Sequence, residues 1–285
     1  MRLEGVGRRH GPRGPWVLRG VDLDLPAALV RITGTNGTGK STLLRLLAGI
    51  DAPTEGRVTG RPARTAYVPE RFPVALPFTA LDYLVRLGRV QGLGRTDARV
   101  RAGEWLERFG AGGHARTGLG ELSKGTSQKV AVAQALLADP ALLVLDEAWT
   151  GLDAGARAEL DAVVRARVAA GATVVFVDHD PRRLRGEASV VYGVEAGRVR
   201  PGREPAGEPP GAPGALVRIT VSGGRALPDR LPGEPAVTPG PGGTTVLTVG
   251  AAHSDALLGA LLAASWHVHR LRTAEADVPG GGVRA

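Results

Sequence analysis

The sequence predicts an α/β fold. Near the N-terminus an apolar run, a glycine-rich loop and a leucine-faced helix follow one another, and two further apolar runs flank a helix later in the chain. A Pro/Gly-rich stretch then sets off a small α+β unit.

Residues 1–25 read as short strands and turns, alternating apolar and polar from Val21 to Leu25. Ala28 to Thr33 is a strand of the buried type. After the loop Gly34 to Thr42, Leu43, Leu44 and Leu47 recur at helical spacing until Gly49 can end the helix in a left-handed cap. Asp51 to Gly60 is turn-rich, and Thr65 to Val68 is a short strand leading into Pro69 and Glu70. A helical insert is expected over about 71–139. In it, Thr79 and Asp82 form a cap ahead of Leu84, Val85 and Leu87, and a second helix runs from about Asp97 to Phe109. A third follows Ser123, with Val130, Ala133, Leu136 and Leu137 on its apolar side, and stops at Asp139-Pro140.

Ala141 to Leu145 and Thr173 to Val177 are continuous apolar runs, as strands buried on both faces require, with a helix from about Gly155 to Ala170 between them. Val190 to Val199 reads as a hairpin turning at Ala196-Gly197. The expected division is a core domain over 1–200, a linker over 201–214, a small α+β domain over 215–278 and a flexible tail over 279–285. Within the small domain, 216–221 and 245–249 read as strands, Asp255 to Ala264 as a helix and Trp266 to Leu271 as a strand. Residues 222–243, with eleven Gly or Pro, read as a loop.

Composition narrows the function. With no cysteine there is no disulfide framework and no thiolate metal site. The longest apolar stretches fall far short of the roughly 20 residues that cross a bilayer, and the N-terminus lacks the apolar core of a signal peptide. A membrane role would therefore run through a partner. A net charge of +8 would raise nucleic acid as a ligand, but the arginines are scattered and aromatics make up only 4%. No specific nucleic-acid partner is expected.

The loop GTNGTGKST fits a phosphate cradle. Glycine N–H groups curl around nucleotide phosphates, the compact ammonium of Lys40 reaches the outer ones, and the Ser41 hydroxyl suits Mg²⁺. Lysine is rare here, three residues against 33 arginines, so its presence at position 40 points to a place where a planar fork would not fit. The chain's one asparagine, Asn36, lies in the same loop. Leu142 to Glu147, LLVLDE, is an apolar strand ending in two carboxylates, which would place Asp146 near Mg²⁺ and Glu147 near an attacking water. LSKGTSQK, Leu122 to Lys129, lies at a helix N-terminus, whose free N–H groups suit a phosphate.

At these residues the chain resembles the nucleotide-binding subunit of an ABC transporter, over roughly residues 1–200. The resemblance implies a P-loop NTPase core with an antiparallel β subdomain and a helical subdomain. It implies that Gly34, Thr35, Asn36, Gly37, Thr38, Gly39, Lys40, Ser41 and Thr42 hold ATP, that Ser41 and Asp146 serve Mg²⁺ and that Glu147 is the general base. His179, in VVFVDHD, resembles the switch histidine that contacts the γ-phosphate. Leu122, Ser123, Lys124, Gly125 and Thr126 resemble the signature that closes over the nucleotide of a second subunit, and Asp153 in WTGLD resembles an aspartate that contacts that subunit.

Several positions depart from the family pattern. LSKGT replaces LSGGQ, so Lys124 stands for a glycine and Thr126 for a glutamine. Glu70 stands where the family has a glutamine that senses Mg²⁺ and meets the permease. Glu70 is counted with the ATP-binding residues and has two expected orientations: into the site, where it would bind the waters of Mg²⁺ but repel the γ-phosphate, or towards a basic loop of the permease, which avoids that repulsion and is preferred. His10 takes the place of the aromatic that stacks on adenine, with Trp16 as the alternative. In the small domain, His267 and His269 share a strand face with His253 nearby, but no carboxylate or cysteine cluster supports a metal site there.

The resemblance implies an ATPase with ATP and Mg²⁺ as cofactors, a homodimer driving a separate membrane permease from the cytoplasmic face, with export expected from the signature and the small domain. A clamp on nucleic acid or the ribosome is the rival. Against it stand a single phosphate loop and only about fifty residues between Glu70 and the signature.

Overall fold

The computed structural model describes residues 1–11, 14–70, 72, 76–203, 216–223, 231–250 and 253–274. Two compact units divide the chain, Met1–Ala206 and Gly207–Ala285. Residues 204–214 of the expected linker and the expected tail 279–285 lie outside the described residues.

The first unit is built on a six-stranded sheet in the order β5-β6-β7-β3-β8-β9. β3 (Leu29–Thr33) lies between β7 (Thr173–Val177) and β8 (Val190–Glu195), β6 (Leu142–Asp146) joins β5 (Thr65–Val68) to β7, and these pairings are parallel. β9 (Arg198–Pro201) closes the edge as an antiparallel hairpin with β8, turning through Ala196 and Gly197, both at positive φ. β6 is buried throughout, which explains its unbroken apolar run.

Alternation along β3 divides the core. Val30 and Ile32 join Leu142, Val144, Val175 and Val177 against α1 (Lys40–Ala48), whose Leu43, Leu44, Leu46 and Leu47 are buried. On the other face Leu29 joins Leu143, Leu145, Val174 and Phe176, which pack with α4 (Lys124–Leu136) and α5 (Ala154–Ala169). Arg31, 1% exposed, points to this second face and stacks on Phe176.

A separate antiparallel sheet, β2-β1-β4, covers the α1 side through Leu3, Val6, Leu18, Val21 and Leu23. β1 (Arg2–Arg9) and β2 (Trp16–Asp24) are longer than the short strands expected, and register shifts interrupt their pairing. β4 (Glu55–Thr59) occupies the segment expected to be turns. Gly56 carries φ 73, and a Cβ there would lie 2.4 Å from Glu4 O, so only glycine lets β4 approach β1.

The helical insert comprises α2 (Ala80–Val90), α3 (Arg95–Arg108) and α4. The Thr79 side chain accepts from Asp82 N–H as the sequence predicts, while α3 begins two residues earlier than expected.

In the second unit β10 (Leu216–Ser222), β11 (Ala236–Pro239), β12 (Thr245–Gly250) and β13 (His267–Ala274) form an antiparallel sheet, and α6 (Ser254–Ala263) buries Leu257 and Leu261 against Val217, Ile219, Val221, Leu247 and Val249. β11 lies within the segment expected to be a loop; its four exposed residues give no apolar period to read.

Candidate active site

The phosphate loop leaves the carboxyl end of β3, where parallel sheets place their ligands. Gly34, Gly37 and Gly39 have φ of 143°, 79° and 106°, which lets the chain curl in a way side-chain-bearing residues resist. A Cβ on Gly34 would lie 2.4 Å from Val194 O, so this glycine is also required by β8. Thr38 Oγ1 donates to Thr35 O at 2.9 Å, and Lys40 Nζ donates to Gly34 O and Thr35 O, each at 2.9 Å. The ammonium is thereby held across the loop at the N-terminus of α1.

β6 brings its two carboxylates to the same end of the sheet. Asp146, 2% exposed, accepts from Ser41 Oγ at 3.3 Å and from Tyr67 Oη at 2.9 Å. Burial raises its pKa; the bonds from Tyr67 and Ser41 oppose the rise, and the charge of Glu70 adds to it. Tyr67, raised in turn by burial and by the charge of Asp146, stays a donor.

Glu147 adopts φ 53, an unfavourable backbone for a side-chain-bearing residue, fixed by its N–H on Val177 O at 3.1 Å. His179 Nε2 donates to its Oε1 at 2.6 Å. Burial raises the Glu147 pKa; His179 opposes the rise, and the charges of Glu70 and Asp146 add to it.

These groups surround a cleft of about 460 Å³ lined by His10, Val17, Asn36, Gly37, Gly39, Lys40, Ser41, Thr42, Glu70, Glu147 and His179. Glu70 therefore lines the cleft, the first of its two expected orientations. Of the two aromatic candidates, His10 lines the cleft and Trp16 does not; the Trp16 ring instead carries the guanidiniums of Arg9 and Arg19, 4.9 and 5.2 Å from its centroid. Hard oxygen donors at Ser41 and Asp146 fit Mg²⁺.

Leu122, Ser123, Lys124, Gly125 and Thr126 do not line the cleft. Ser123 caps α4, its Oγ accepting from Thr126 N–H at 3.1 Å. The start of α4 is tied to the segment after Glu147 at three points. Gln128 Nε2 donates to Ala148 O at 3.2 Å, Lys129 Nζ lies 2.6 Å from Asp153 Oδ2, and a Cβ on Gly125 would stand 2.8 Å from Gly151 O. Lys129 and then the Ala156 N–H hold the Asp153 carboxyl below its ordinary pKa. In the second unit, His269 Nε2 lies 2.5 Å from Ser222 Oγ.

A family model described as ABC transporter matches residues 18–150. The aliphatic sulfonates import ATP-binding protein SsuB 1 of Mesorhizobium japonicum is 38% identical over 203 residues, covering 69% of this chain and 76% of that protein. The chain belongs to the family of ABC transporter ATP-binding subunits. Also similar is the macrolide export ATP-binding/permease protein MacB 1/2 of Paracoccus denitrificans, 31% identical in a 262-residue alignment that covers 85% of this chain and 35% of that protein. A solved dimeric ATP-binding cassette in a post-hydrolysis state, bound to ADP and Pi, matches with a TM-score of 0.62 at 25% identity over 72% of this chain and 99% of that one. This ABC cassette is accordingly an ATPase with the family's α/β architecture. Among its described residues no helix is long and apolar enough to cross a membrane.

Sequence reasoning passed over three residues of the ABC site's surroundings. The sequence marks Tyr67 only as part of a short strand and singles out neither Arg31 nor Arg183, whose guanidinium lies 5.5 Å from the Trp149 ring centroid. An arginine inside an apolar strand run is a readable signal, because a guanidinium is buried only where partners meet it.

Proposed function

We propose that the chain binds ATP with Mg²⁺ in this cleft and, as one of two paired cassettes, uses its hydrolysis to drive a membrane permease from the cytoplasmic side. The observation that carries this reading is the 2.6 Å contact between His179 Nε2 and Glu147 Oε1 at the mouth of the phosphate loop. Glu147, raised by burial, is a stronger base at neutral pH than a solvated carboxylate. It takes a proton from the water that attacks the γ-phosphorus, and ADP leaves as the P–O bond breaks. His179 orients Glu147 and approaches the γ-phosphate. Ser41 and Asp146 would hold Mg²⁺, which when bound neutralises charge on the phosphate oxygens. Lys40 and the loop N–H groups hold the remaining charge, and His10 stacks on adenine.

The signature residues lie outside the cleft of their own chain, which supports their use on a partner's nucleotide. The dimeric state of the matched cassette structure supports the same pairing. The matched relatives carry import and export names, so the expected export rests on the signature and the second unit alone. Transport in proteoliposomes with the cognate permease reads the direction.

Glu147→Gln tests the assignment. It should retain ATP binding while hydrolysis falls by about 100-fold or more, and ATP should trap a dimer visible by light scattering. Parental turnover would remove Glu147 as base, and a monomer at saturating ATP would remove the paired mechanism.

A further inference from the structure

Arg31 occupies a core position. Its neighbours on the same sheet face, Leu29, Leu143 and Phe176, are apolar, and a leucine would fill such a place without burying charge. The guanidinium instead meets a row of backbone carbonyls. Nη1 donates to Arg183 O at 2.9 Å and to Pro181 O at 3.3 Å, Nη2 donates to Asp180 O at 2.9 Å, and the Phe176 ring lies 5.3 Å below. All three carbonyls belong to the turn that follows His179.

The other side of His179 is fixed as well. Asp178 Oδ1 accepts from Asp180 N–H at 2.7 Å, and Asp178 Oδ2 lies 3.6 Å from Arg183 Nε. A second strut reaches the same turn from α5 and the segment after Glu147. Arg183 Nη1 donates to Asp161 Oδ2 at 3.0 Å, its guanidinium lies 5.5 Å from the Trp149 ring centroid, and Trp149 Nε1 donates to Asp161 Oδ1 at 2.8 Å. The turn is thus held from two directions, and Arg31 provides the hold that comes from the strand opening the phosphate loop.

We propose that Arg31 is a positioning residue for His179, tying the 180–183 turn to β3 so that Nε2 keeps its register on Glu147. The planar fork matters because it presents donors from two separate nitrogens in fixed directions to carbonyls of three residues, whereas an ammonium presents all its donors from one point. The proposal rests on the reading that His179 acts in hydrolysis. Because Arg183 still anchors the turn when Arg31 is replaced, the loss should fall on the register of His179 and leave the fold in place.

The test compares the full chain with Arg31→Met, Arg31→Lys, His179→Ala and the Arg31→Met/His179→Ala double variant. The readouts are kcat, KM for ATP and amide hydrogen exchange across 178–185. Arg31→Met should lower kcat by about 10- to 100-fold with KM little changed, and it should speed exchange in 178–185 alone. Arg31→Lys should recover part of the loss. In the His179→Ala background, Arg31→Met should have no further effect on kcat, because the residue acts through the histidine. Losses that multiply in the double variant, or parental kcat in Arg31→Met while His179→Ala is impaired, would overturn the proposal. If Arg31→Met does not fold, the lysine variant carries the same test: a kcat loss that disappears with His179→Ala supports the proposal, and its absence or persistence overturns it. Parental turnover by His179→Ala itself would instead refute the role given to the histidine, and the exchange data would then decide whether Arg31 holds the turn.

Discussion

Replacing Tyr67 by phenylalanine removes one oxygen and leaves the ring in place. That oxygen donates to Asp146 at 2.9 Å, and Asp146 is 2% exposed, so water has little room to take over as donor. A hydrogen bond to a charged group contributes about 1.5–3 kcal/mol. In a chain of this size each kcal/mol moves the unfolding midpoint by about 2–4 °C, so the variant should melt about 3–12 °C lower at neutral pH. The pH dependence has a definite sign. Burial already raises the Asp146 pKa above its unfolded value, Tyr67 opposes that rise, and its loss raises the folded-state pKa further. The difference between parent and variant is therefore fully present above both folded-state pKa values and fades as pH falls through them. Thermal unfolding without nucleotide, from neutral to mildly acidic pH, measures it. A loss of equal size at every pH would show that Tyr67 acts through packing, and a parental midpoint at neutral pH would show that the bond contributes nothing.

Two further outcomes follow from the cleft. The charge of Glu70 raises the pKa of both Glu147 and Asp146, so Glu70→Gln should move the acid limb of the kcat profile to lower pH while keeping most activity. An unmoved profile combined with weaker, salt-dependent stimulation by the permease would assign Glu70 to the permease instead. His10→Ala should weaken ATP binding by about 1–3 kcal/mol, taking base stacking as the guide, and Trp16→Ala should weaken it less. Nucleotide titration gives the ranking, and the reverse order would move the adenine contact to Trp16.

The phosphate loop was legible because its chemistry is local. Gly34, Gly37 and Gly39 are spaced for the backbone they adopt, and Lys40 and Ser41 follow directly in the helix they open. Asp146 and Glu147 were legible because two acids stand out at the end of an unbroken apolar strand, and that strand lies in the same parallel sheet as β3. β4 was hidden, since EGRVT carries little apolar signal and becomes a strand only by pairing with β1, which lies far away in sequence, Arg2 opposite Thr59 and Gly7 opposite Glu55. Arg31 was hidden for a related reason. Its place in an apolar run marks it as unusual, but the partners that explain it lie about 150 residues downstream.

The three ties between α4 and the 148–153 segment bear on how such cassettes can be recombined. Lys129 meets Asp153 as an ion pair, Gln128 meets a main-chain carbonyl, and Gly125 leaves no room for a methyl group against Gly151. A transplanted signature helix would bring its own side chains to a surface shaped for these ones. In a chimera, residues 123–129 and 148–153 therefore form one heritable block: exchanged together they carry their mutual fit with them, and exchanged separately they set a foreign helix against a foreign turn.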